Sequence, residues 1–88
     1  MTYDSIRPDI VTAIRRYADE HCPVGGFLTA VLSNDLREAF RRADDDNRAG
    51  LGAIVAYCWW EIPGDCWGSP ERVRAWLEAR PAESKESR

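Results

Sequence analysis

The amino-acid sequence predicts an all-α fold, a compact single-domain bundle of four to five short helices around a central apolar helix at residues 46–61. Three observations carry this expectation. Apolar residues recur at helical spacing along most of the chain. Pro, Gly and short polar residues divide it into pieces of helix length. In one piece, residues 26–32, a strand is possible, but no second strand is available to satisfy its backbone. The 88 residues suffice for one domain, assigned to residues 1–80, with a polar tail at 81–88 expected to be mobile. A chain this short buries only about 60–65% of the surface its unfolded form exposes. Four Trp, three Tyr and two Phe supply the bulk such a small core needs.

The first helix is expected over residues 5–20. Ile6, Ile10, Ile14 and Tyr17 recur on one side, Pro8 falls in the first turn, and Asp4 or Ser5 is placed to cap. Arg15 with Asp19 and Arg16 with Glu20 have ion-pair spacing on the wet side. Pro23 and Gly25-Gly26 end this helix. The segment Gly26-Phe27-Leu28-Thr29-Ala30-Val31-Leu32 reads as two helical turns, and Ser33-Asn34-Asp35 as a junction, although one bent helix across 26–43 fits equally. Asp35 and Glu38 have capping-box spacing, and Leu36, Ala39, Phe40 and Ala43 make one apolar stripe. The segment at 46–61 is apolar nearly all round, which marks a helix packed on two or more sides. A loop at 62–68 follows. Ser69 at N-cap, Pro70 at N1 and Glu71 in the first turn then start a last helix, in which Val73, Trp76 and Leu77 face inward.

Fifteen acidic against twelve basic residues give a net charge of −3. That balance disfavours non-specific nucleic-acid binding, which needs a basic face. The longest apolar run, near Leu51 to Trp60, is far short of the roughly 20 residues a membrane span needs, so no membrane partner is expected. The opening Met1-Thr2-Tyr3-Asp4 has neither a basic nor an apolar signal region. The expected location is therefore the cytoplasm. The three Cys, at 22, 58 and 66, are then free thiols.

Several groups invite a chemical role. His21, Cys22, Asp65 and Cys66 contain the residue types of a Cys-His nucleophile pair, yet nothing in their spacing forces contact. Zinc through His21, Cys22, Cys58 and Cys66 lacks the close ligand pairs of structural sites. Buried thiols are the plainer reading of these Cys residues. No catalytic residue, metal or cofactor is assigned. Arg37, Arg41, Arg42 and Arg48 could contact phosphate, but acids share their segment, and a mixed solvated face is favoured. Asp44, Asp45 and Asp46 exceed what one helix N-terminus requires, and with Asp35 and Glu38 they form a candidate surface for a protein partner. Trp59 and Trp60 point about 100° apart on a helix, so both are buried only if it is flanked twice. Core packing of both is favoured; an exposed one would be a binding hot spot. Trp67 is expected to plug the end of the core, beside a turn that Gly68 permits.

From Gly25 to Leu77 the chain resembles a loose family of small proteins of bacteria, phages and other mobile elements. The residues that carry the likeness are Gly25-Gly26-Phe27-Leu28, Ala30-Val31-Leu32, Asn34-Asp35-Leu36, Arg42-Ala43-Asp44 and Cys66-Trp67-Gly68-Ser69-Pro70-Glu71, followed by Val73 and Trp76-Leu77. The resemblance implies a mobile-element setting and no particular reaction or site residue. By analogy with anti-CRISPR proteins, small acidic proteins in that setting act by blocking a larger host machine. The expected function is a non-catalytic protein-binding module of this phage-type inhibitor kind. A nucleic-acid-binding accessory protein using the Arg cluster is the alternative, and a small thiol enzyme a distant one.

Overall fold

Arg7 precedes a proline, and that position is sterically barred from the helical region. Its φ of −59° and ψ of 143° are extended, so the first helix, α1, starts at Pro8 and runs to Glu20. The expected start at Ser5 and the cap by Asp4 or Ser5 are thereby corrected: Arg7 holds the cap position and its side chain makes no capping bond. The computed structural model describes residues 3–79; the tail expected at 81–88 lies outside them. Among the described residues there are six α-helices and no strand: α1, α2 (Gly26–Leu32), α3 (Leu36–Arg42), α4 (Asp45–Ala49), α5 (Leu51–Glu61) and α6 (Pro70–Glu78). A 3-10 turn at Gly64–Cys66 links α5 to α6.

The segment 26–43 is two helices. Asn34 takes the left-handed conformation, with φ 63°, and the amides of Asn34 and Asp35 bond back to the carbonyls of Val31 and Ala30. This pattern closes a helix end. The Asp35 carboxylate then accepts from the Glu38 amide at 3.2 Å and opens α3. Ser69 accepts from the Arg72 amide at 3.1 Å with Pro70 at the first helical position, as expected for the start of α6.

The core is made by Ile10, Ile14, Tyr17 and Ala18 of α1, Leu28, Val31 and Leu32 of α2, Ala39 of α3, Ile54, Tyr57 and Cys58 of α5, and Val73 of α6. Ile6, Ile62 and Cys66 close its ends. The Tyr17 hydroxyl is buried and donates to the Cys66 carbonyl at 2.7 Å. Arg15 donates to the Glu61 carbonyl at 2.9 Å, supplying a cation at the C-terminus of α5.

The helix expected at 46–61 divides at Gly50. Gly50 is buried, and a Cβ there would lie 2.9 Å from the Ser5 carbonyl oxygen. Backbone cannot yield as a flexible side chain does. Gly50→Ala is therefore expected to cost about 1–3 kcal/mol. Gly52 is the second residue of α5, with nothing within 4 Å of its added Cβ. Gly52→Ala should stabilise by about 0.5–1 kcal/mol through helix propensity. Urea unfolding of both variants checks the pair, which must move in opposite directions.

Candidate functional site

An α-helix packed on one side leaves its other side in water, and α5 is packed on one side. Ile54, Tyr57 and Cys58 face the core, while Trp59 and Trp60 are 68% and 65% exposed and Val55 is also exposed. The expected burial of both tryptophans is corrected. Helix α5 is flanked on too little of its circumference to cover two rings about 100° apart.

The stripe expected on α3 also divides. Ala39 and Ala43 are buried, whereas Leu36 and Phe40 are 67% and 53% exposed. The small pair lets α3 pack against α2, and the large pair, one turn apart, is turned outward. Leu36 and Val55 line one narrow crevice of about 50 Å³ with Val31, Asn34, Asp35, Ala39, Leu51 and Trp67. Trp67 and Asn34 continue into a wider cleft of about 380 Å³, whose other walls are Trp59, Gly64, Gly68 and Arg72. Trp67 thus packs against the core, as expected of a plug, and keeps one face on this cleft. Gly68 adopts φ 116°, a conformation L side chains rarely enter, and its amide donates to the Leu32 carbonyl at 2.7 Å. That bond ties the loop to the end of α2. The exposed apolar side chains present on the order of 500 Å² of surface, near the upper end for a monomeric protein.

The acidic candidates occupy two places, one at each end of α3. Asp44 caps α4 through the Asn47 amide at 2.8 Å and pairs with Arg7 at 2.8 Å, two contacts that hold its carboxyl below the usual range. Asp46 is 3.8 Å from the same Arg7, and Asp45 is 3.7 Å from Arg48. Asp35 and Glu38 line a mixed hollow with Val24, Ser33, Arg42 and Pro70, and Asp35 also reaches the Leu36 crevice. Glu38 accepts from Arg41 at 2.6 Å and Arg42 at 2.8 Å, which lowers its carboxyl to about 2. Because this value lies below the ordinary 4.5, the pairing is intact above pH 4.5 and is lost as pH falls towards 2.

The four arginines do not form one patch either. Arg41 and Arg42 share Glu38. Arg48 lies over the Phe40 ring at 4.8 Å and donates to the Phe40 carbonyl. Arg37 is exposed and has no ion-pair partner among the described residues.

His21 and the cysteines have structural surroundings. His21 caps α1 at φ 58°, and its Nδ1 lies 2.6 Å from the Trp76 carbonyl, an oxygen that can only accept. Cys66 donates to the Pro63 carbonyl at 3.1 Å. Burial pushes the Cys58 thiol up to about 12 and that of Cys66 up to about 11, so both stay protonated at neutral pH. Among the described residues, no three His, Cys, Asp or Glu side chains converge to hold a metal ion, and all three cysteines are free. No helix among them is long and apolar enough to cross a membrane.

Periodicity could not reveal Leu36 and Phe40 as surface residues, because their spacing is also that of a core stripe. Arg72 is equally silent in the sequence; only the turn at Gly68 brings it to the tryptophans. No known protein family, characterised protein or solved structure matches the chain.

Proposed function

We propose that the chain is a non-catalytic protein-binding module. In the mobile-element setting that its residue pattern implies, it would inhibit a larger host machine by occupying one of its surfaces. The observation that supports this reading is the set of exposed apolar side chains Leu36, Phe40, Val55, Trp59 and Trp60, of which Leu36, Val55 and Trp59 line two hollows that share Trp67 and Asn34. Exposed tryptophan at a pocket is the commonest kind of interface hot spot. The acidic surface at Asp44, Asp45 and Asp46 ranks second, because Arg7 and Arg48 already answer its charge. The arginine cluster supports nucleic-acid binding less, since Glu38 answers two of its four members.

The test is capture from the host of origin with the parent, with Trp59→Ala, and with Asp45→Asn combined with Asp46→Asn. Trp59→Ala should leave stability within about 0.5 kcal/mol. It should weaken the captured partner about 30-fold or more, the hot-spot threshold. Retention by Trp59→Ala and loss by the Asn pair, most marked at low salt, would move the working surface to the acidic end. Capture of nucleic acid that falls steeply with salt would replace the reading altogether.

A further inference from the structure

We propose that the surface around the two hollows takes a second copy of the chain in a twofold dimer, an inference that rests on reading those exposed side chains as a binding face. A twofold contact joins one surface to itself, so each feature needs its complement elsewhere on that surface. Both halves are present here. Asn34 and Trp67 line both the crevice and the cleft, and so lie between them. On the crevice side Leu36 is 67% exposed, with Phe40 one turn further along α3 and Asp35 beside it. On the other side is the cleft of about 380 Å³ walled by Trp59 and Trp67, with Arg72 in its lining. A twofold axis through Asn34 and Trp67 exchanges the two sides. It brings Leu36 of each copy to the other's cleft and Asp35 of each to the other's Arg72.

Charge agrees with this arrangement. Among the described residues, Asp35 and Arg72 are the only charged groups that line the two hollows. The Asp35 carboxylate accepts the Glu38 amide at 3.2 Å and is in no ion pair among them. Arg72 gives one terminal nitrogen to the carbonyls of Gly64 and Trp67, both at 3.2 Å, which holds the guanidinium and leaves Nε and Nη2 side by side for a carboxylate. Arg48, over Phe40, is already 3.7 Å from Asp45 and adds no net charge there. One acid and one base favour neither an acidic nor a basic partner; they match the face itself. The area suffices as well. Leu36, Phe40, Val55 and Trp59 expose roughly 400 Å² on each copy. Two copies withdraw about 800 Å² of it, and at the roughly 65% apolar share of homodimer interfaces this implies about 1,200 Å² in all, where specific interfaces begin.

Sedimentation equilibrium of the parent at about 100 µM should give twice the chain mass, since the smaller specific interfaces bind in the micromolar range. Trp59→Ala should weaken the dimer about a hundredfold and Leu36→Ser about tenfold, because a twofold makes each change twice. Asp35→Arg and Arg72→Glu should each be monomeric alone, as like charges then face each other. Mixed in equal amounts they should recover the dimer, because both contacts again join a guanidinium to a carboxylate. Circular dichroism accompanies this pair, since Asp35 caps α3 and Arg72 holds the loop. If either loses helicity, Trp59→Ala and Leu36→Ser decide. A monomeric parent overturns the proposal. So does a dimer that Trp59→Ala and Leu36→Ser leave intact, or a mixture of folded charge variants that stays monomeric. If the parent is monomeric and host capture still depends on Trp59, the binding face stands and only the second copy is withdrawn. If the parent dimerises as expected and Trp59→Ala still captures the host protein, the dimer stands and the host surface lies elsewhere.

Discussion

Trp76→Ala should remove about 3–4 kcal/mol of folding stability, a large share of what a domain this small possesses. Trp76 is only half-buried, so lost apolar area is not the whole cause. Its indole N–H donates to the Tyr17 carbonyl at 2.8 Å, a bond the alanine loses, while the backbone carbonyl of residue 76, 2.6 Å from His21 Nδ1, remains. The two rings stack at 4.1 Å and 17°. One residue thus fastens α6 to the C-terminal turn of α1 through two hydrogen bonds and a ring face. Trp76→Phe keeps a ring and loses the N–H, and should cost about 1–2 kcal/mol. His21→Ala combined with Trp76→Ala should cost less than the two single changes together, since both break the same joint. Urea unfolding followed by far-ultraviolet circular dichroism measures these variants and His21→Ala alone. A loss under about 1 kcal/mol for Trp76→Ala would mean that Val73 alone secures the last helix.

The second large effect is alkaline. Cys58 sits against Ile54 and Tyr57 in the core, and burial raises its thiol from 9.0 to about 12. The folded value lies above the unfolded one. Stability from this group is therefore complete below pH 9 and is lost as pH rises towards 12. Each pH unit in that window removes up to about 1.4 kcal/mol. Cys66, raised to about 11, steepens the decline over the lower part of the same window. Unfolding under reducing conditions between pH 8 and pH 11 should show the slope, and Cys58→Ala should flatten it while lowering stability at neutral pH. Parallel slopes for parent and variant would place the alkaline loss on other groups. The tyrosines are the next to test, since burial also raises Tyr17.

The all-α fold was legible because helix signals are local. Ser69-Pro70 starts α6, Asp35 caps α3, and Asn34 turns the chain between α2 and α3, each through its own backbone chemistry. Most of the errors came where a distant segment decided. The apolar helix divides at Gly50, where the Ser5 backbone lies too close for any Cβ, a contact across more than forty residues. Arg7 lost its place in α1 to a local rule, the restriction before Pro8, that outweighed the apolar periodicity running through Ile6. The site was less legible still. Trp59 and Trp60 carry the same apolar signal whether covered or not, and coverage depends on how many helices reach α5. Leu36 and Phe40 read as core because the sequence does not say that the alanines beside them would be the ones packed inward. What the residues did reveal was that the pair mattered: two adjacent tryptophans about 100° apart on one helix are both covered only if the helix is flanked twice.

The Gly68 amide bond to the Leu32 carbonyl has a thermodynamic consequence. The walls of the cleft come from Asn34, Trp59, Trp67 and Arg72, four places brought together only by that closure and by the seating of α6. A chain with α6 undocked has no cleft, so occupancy and folding form a single linked equilibrium. An occupant present at a hundred times its Kd would add about 2.7 kcal/mol to the folded state. The rise in melting temperature on adding a candidate therefore serves as a binding assay that requires neither a label nor knowledge of the partner's activity. The wider the gap in stability between the free and occupied forms, the more the cell's proteases would sort one from the other.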